Sequence, residues 1–183
     1  IQPHNEPLPP GLTSLTCRLA EFSKDVALAL PRQLTKLVIS AIKISLTFNG
    51  VFESLPADLV HLNLNLSYCV RVTDPTVVSF GSFLRLKSLS VTTGGYTDWN
   101  PRIDGRSFLP PRLESLFLRI FPTNPQLVLP ESLTHLHLGF APSESRFGLI
   151  YTSETLPNGE AHLRPGLPMA LKVVEGSGVL HPL

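Results

Sequence analysis

A Leu-Pro pair begins at positions 8, 30, 55, 109 and 129, and in each case apolar residues follow four, seven and nine places after the leucine. The fullest copies are Leu109, Leu113, Leu116, Leu118 and Leu129, Leu133, Leu136, Leu138; the second copy ends on Ile39 and the first on Cys17. A weaker copy lacks the Leu-Pro start, placing Ser82 in the leading slot before Leu86, Leu89 and Val91. Successive units are 22, 25, 27, 27 and 20 residues apart, and self-similarity at that period is the signature of a solenoid. No single unit carries enough apolar surface to fold alone, so neighbours must stack and share one core.

Within each unit the last apolar slots alternate with polar residues, the period of a half-buried strand. Six parallel strands are predicted, at 13–18, 35–40, 60–66, 87–92, 114–119 and 134–139. Leu15, Cys17 and Leu19 in the first, and Leu136 in the last, are expected to face inward, with Thr134 facing out. The proline suits the position before the strand, because it has no N–H to give to a ladder. Return segments are expected to be mostly irregular, with a helical turn at 24–28, a second short strand through Ile42, Ile44, Leu46 and Phe48, and a short helix near 75–80. That last expectation rests on Asp74-Pro75, a capping side chain followed by proline at the first helical position. The segment 94–101 contains the only tryptophan, Trp99, and is expected to pack on the edge of the array.

The pattern fades beyond Phe140. Leu156-Pro157 with Leu163 reads as a degenerate last repeat, since Glu160 replaces a leucine and Pro165 interrupts the strand. The solenoid is therefore expected over 1–163, in six to seven repeats, with 164–183 a loosely ordered tail. Ile1 is not a methionine and no charged-then-apolar leader follows, so a longer chain carrying its own targeting signals is expected.

The Leu-Pro-x-x-Leu-x-x-Leu-x-Leu unit, together with Leu46-Thr47-Phe48-Asn49-Gly50-Val51-Phe52-Glu53-Ser54-Leu55-Pro56, resembles the FNIP variety of leucine-rich repeat. One unit, Leu64-Asn65-Leu66-Ser67-Tyr68-Cys69-Val70-Arg71-Val72-Thr73-Asp74, looks like the cysteine-containing repeats of F-box proteins. The resemblance implies an α/β horseshoe arc with one parallel sheet, one short strand per repeat and a mostly irregular convex side. It also implies a non-catalytic recognition module that binds a partner protein on the concave sheet face, as the substrate-selecting part of a larger assembly. The alternative is a structural or adhesive spacer array.

Fifteen basic and fourteen acidic residues leave a net charge of +1, so no overall field draws the chain to nucleic acid or to an anionic membrane. No apolar run reaches the length of about 18 residues that suggests a membrane span. The two cysteines, Cys17 and Cys69, fall in apolar slots and read as unpaired core thiols, which leans toward an intracellular compartment. A monomer with a protein partner and no cofactor is expected.

Chemistry is left to the outward row. Its centre is predicted to be Phe117, Arg119, His135 and His137, with His61, Asn63, Asn65 and Ser90 around it, since aromatic and arginine side chains dominate contact centres. No phosphate-binding loop, His-Glu-x-x-His or nucleophile elbow occurs, so an enzyme is not expected. A weaker alternative is a zinc site, with His135 and His137 on one strand and His162 one repeat along. Asn65-Leu66-Ser67 matches a glycosylation sequon, but within a strand rather than a loop.

Overall fold

The computed structural model describes residues 8–44, 48–66, 80–93, 109–119, 127–138, 150–155, 161–165 and 172–176. The strands of the main sheet are β1 (Ser14–Phe22), β2 (Lys36–Ile44), β3 (His61–Leu66), β4 (Ser88–Thr93), β5 (Ser115–Arg119), β7 (His135–Leu138) and β10 (Val173–Gly176). They lie in the order β1-β2-β3-β4-β5-β7-β10, and every neighbouring pair is parallel. A second sheet of three strands is made by β6 (Leu127–Pro130), β8 (Ile150–Thr155) and β9 (Ala161–Pro165). Two short helices are described, α1 (Lys24–Leu28) and α2 (Phe48–Glu53).

The Leu-Pro-x-x-Leu start makes the same turn in most units. The proline carbonyl accepts the N–H of the leucine three residues on: Leu12 to Pro9 at 3.1 Å, Leu34 to Pro31 at 3.2 Å, Leu113 to Pro110 at 3.1 Å and Leu133 to Pro130 at 3.1 Å. The weak copy does the same without proline, Leu86 N–H donating to the Phe83 carbonyl at 3.0 Å, so the turn belongs to the spacing rather than to the ring.

A shared carbonyl then fixes each new strand on the last. The Thr13 carbonyl accepts the N–H groups of both Thr35 and Lys36, at 2.8 and 3.1 Å. Thr35 does so for Val60 and His61 at 2.7 and 3.0 Å, Val60 for Lys87 and Ser88 at 2.9 and 3.1 Å, and Lys87 for Glu114 and Ser115 at 2.8 and 2.9 Å. Glu114 does so for Thr134 and His135 at 2.9 and 3.0 Å. A carbonyl oxygen has two lone pairs, so both donors are satisfied where one strand begins beside the next.

With the strands in register, inward residues form columns. One runs Leu15, Leu37, Leu62, Leu89, Leu116, Leu136, and a second runs Cys17, Ile39, Leu64, Val91, Leu118. From Leu37 to Leu136 the first column is at most 1% exposed. Where the weak copy offers exposed Ser82 instead of leucine, the buried rings of Phe80 and Phe83 fill the gap. Phe80 meets Phe52 edge-on with ring centroids 5.5 Å apart, a favoured aromatic geometry. Helix α1 is capped by Ser23, whose hydroxyl accepts the Val26 N–H at 3.4 Å, and it buries Ala27.

Several expectations need correction. Ile42 and Ile44 do not begin a second strand; they extend β2, while Phe48 opens helix α2. Leu15, Cys17 and Leu19 face the core but are only partly buried, because β1 is the sheet's edge. No seventh repeat at 156–163 continues the main sheet. Its strand, β9, pairs antiparallel with β8 in the second sheet, and the place beside β7 is taken by β10, from the stretch expected to be a loose tail. The helix expected near 75–80 and the Trp99 excursion lie outside the described residues, except that Phe80 is described and is not helical.

Candidate functional site

Because strand side chains alternate between faces, the register that aligns the core columns also aligns three outward rows. The first is Ser14, Lys36, His61, Ser88, Ser115, His135. The second is Thr16, Val38, Asn63, Ser90, Phe117, His137, and the third is Arg18, Ser40, Asn65, Thr92, Arg119. All eight residues predicted for a contact surface therefore lie on one face, in adjacent rows on four strands. At about 4.8 Å per strand, the six strands from β1 to β7 present a face roughly 24 Å wide.

Exposure along β3 alternates fully, with His61, Asn63 and Asn65 exposed and Leu62, Leu64 and Leu66 buried. On β4, β5 and β7 the outward Ser90, Phe117 and His137 are half-buried, whereas Arg119 and His135 are exposed. The cause at the centre is a ring stack. Phe117 lies against His137 with centroids 4.3 Å apart and planes 8° from parallel. Cross-strand aromatic pairing of this kind stabilises adjacent strands and holds both rings in fixed orientations. The result is a flat, two-ring platform standing on β5 and β7.

His135 is oriented by the residue before it. The Thr134 hydroxyl lies 2.9 Å from the Glu114 carbonyl and 2.8 Å from His135 Nδ1, and so bridges the two; whether it accepts from or donates to Nδ1 follows the tautomer of the ring. Thr134 reads from its sequence position as an outward residue, yet it is half-buried and joins a backbone clamp to a site side chain. Its sequence signal is a hydroxyl immediately before a strand, as at Thr35, whose Oγ1 donates to the Thr13 carbonyl at 3.1 Å.

The zinc alternative fails on register. The positions beside His135 and His137 are Val173 and Glu175, whereas His162 lies opposite Glu154 in the second sheet. Among the described residues no group of three or more His, Cys, Asp or Glu side chains is placed to hold a metal ion. Asn65 is exposed on β3, and the rest of its sequon lies outside the described residues. Cys17 is half-buried and unpaired, and burial pushes its thiol above the usual range. Cys69 lies outside the described residues. No described helix is long and apolar enough to cross a membrane. Comparison of the chain with protein-family models, with curated proteins and with solved structures finds no significant match.

Proposed function

We propose that this chain is a leucine-rich repeat solenoid of the FNIP-like type that acts as a non-catalytic recognition module, binding a partner protein on the outward face of its parallel sheet. The observation that carries this reading is the Phe117–His137 stack in the middle row, with Arg119 and His135 beside it and a polar field of Asn63, Asn65, His61 and Ser90 around it. A rigid aromatic surface loses little entropy on contact, while amides and hydroxyls can pair with a partner's backbone. The module works as a monomer without a cofactor, and its specificity resides in local side chains rather than in net charge.

The experiment is capture of partners from a lysate by the wild type and by Phe117→Ala/Arg119→Ala, each shown to be folded by its thermal transition. Truncating a central anchor typically costs 2 kcal/mol or roughly more, about thirtyfold in affinity, so a partner bound by wild type is expected to be lost from the variant. An unchanged set of partners removes this face as the binding site and favours the spacer array.

A further inference from the structure

At the β1 side of the same face, away from the aromatic platform, lies an open depression of about 250 Å³ lined by Arg18, Ser40, Ala41, Ile42 and Asn65. Its shape follows from the third row. Arg18, Ser40 and Asn65 are in register on β1, β2 and β3, so a short side chain sits between two longer ones. With strands about 4.8 Å apart, the two flanking backbones stand roughly 10 Å from each other. Ala41 is buried, while Ile42 is 48% exposed and forms an apolar lip.

The polar groups have one sign. Arg18 is exposed, and its guanidinium has no hydrogen bond or ion pair among the described residues. Among the described residues no carboxylate lines the depression. A guanidinium presents a rigid fork of N–H donors that matches a carboxylate, and the Ser40 hydroxyl adds a further donor on the adjacent strand. A volume of about 250 Å³ falls below the range of about 300–1,000 Å³ that houses small-molecule ligands, and it suits one or two peptide side chains. Among the described residues one guanidinium lies beside an apolar lip, which favours a monoanion with an aliphatic neighbour over a dianionic phosphate.

We propose that this depression receives an aspartate or glutamate side chain of a bound polypeptide, paired with Arg18 and Ser40, together with an adjacent aliphatic side chain that covers Ile42. The assignment rests on the reading of this face as a protein-recognition surface and names the partner chemistry at one end of it: an acidic residue next to an aliphatic one.

The test is a titration of the isotope-labelled chain, followed by backbone amide chemical shifts, with acetyl-Glu-Leu-amide, acetyl-Gln-Leu-amide, acetyl-Glu-Gly-amide and inorganic phosphate. Acetyl-Glu-Leu-amide is expected to shift residues 18, 40–42 and 65 saturably in the millimolar range. Loss of the charge in the glutamine analogue, or of the fork in Arg18→Gln, is expected to weaken binding about fivefold or more. The glycine analogue is expected to bind more weakly than the leucine one, Arg18→Lys to keep part of the affinity, and Lys24→Gln on helix α1 to change nothing. Equal binding of the glutamine analogue, tighter binding of phosphate, or no saturable shift at these residues overturns the assignment. If that happens while Phe117→Ala/Arg119→Ala still loses its partner, only the acidic subsite falls. If that variant keeps its partners, the reading of the whole face falls with it.

Discussion

Strands β1 and β2 carry nearly the same apolar pattern but differ in burial. Leu37 and Ile39 on β2 are fully buried, while their register partners Leu15 and Cys17 on β1 remain partly exposed. The leading leucines differ in the same way: Leu30, Leu55, Leu109 and Leu129 are at most 6% exposed, and Leu8 is 38% exposed. A similar apolar pattern thus yields a full core where a strand has neighbours on both sides and a partial one at the edge. On the proposed solenoid reading, stability is a sum of unit and interface terms, and an end unit has one interface fewer.

The contrast is broken most directly by cutting the same kind of side chain from both places. Leu64→Ala on β3, fully buried between two strands, is expected to cost about 2–5 kcal/mol through lost transfer energy and the cavity left behind. Leu15→Ala is expected to cost about 1 kcal/mol or less, because less apolar area leaves the core and solvent fills the gap. Denaturant titration of both variants checks this, and equal costs would show that β1 is covered as fully as the interior.

A smaller effect sharpens the contrast at the clamps. Thr134→Val removes the hydroxyl shared by the Glu114 carbonyl and His135 Nδ1, an expected loss of about 0.5–1.5 kcal/mol. Thr35→Val, at the exposed junction of β1 and β2, is expected to cost less, since water can replace its bond to the Thr13 carbonyl. Thermal unfolding of the pair reports the difference, and a larger cost for Thr35→Val would reverse the order of interior and edge.

The smallest effect concerns the thiol at the edge. Burial raises the Cys17 pKa in the folded chain, so the fold holds a proton that the unfolded chain releases first. The thiol's contribution to stability is complete below the ordinary thiol range, about 8.5, and is lost as pH rises through the higher folded value. Cys17 is therefore expected to react with iodoacetamide more slowly in the folded chain than in urea, the two rates converging as pH rises. Comparable rates at neutral pH would mean that the edge column is open to solvent.

The strands were legible because each coincides with a copy of the repeat, five with the Leu-Pro start and β4 without it; the six predicted segments all appear, with ends shifted by a few residues. The shared face of Phe117, His137 and their neighbours was legible for the same reason, since equal offset from the Leu-Pro start places residues in one row. What lay beyond the repeat was not. Val173-Val174-Glu175-Gly176 contains none of the unit's leucines, yet it pairs beside β7, because an unpaired edge accepts a short strand on backbone bonds alone. Leu163 matches the unit, but β9 pairs back antiparallel on β8, the strand just before it, with Thr155 opposite Ala161, and this local pairing takes the place of one in the main sheet. The depression beside Arg18 was also hidden, because it arises from the relative lengths of three side chains on three strands rather than from any motif.

The carbonyl that accepts two N–H groups at the head of β1, β2, β3, β4 and β5 has a further consequence. It sets a common zero from which every later residue of the strand is measured, whatever the length of the chain segment that arrives there. Units 20 and 27 residues long therefore hold their side chains on one grid, with strand number as one coordinate and distance from the clamp as the other. A substitution on such a grid rewrites one square and leaves the rest in place, so the face can acquire a new pattern of contacts one residue at a time while the columns beneath it stay as they were.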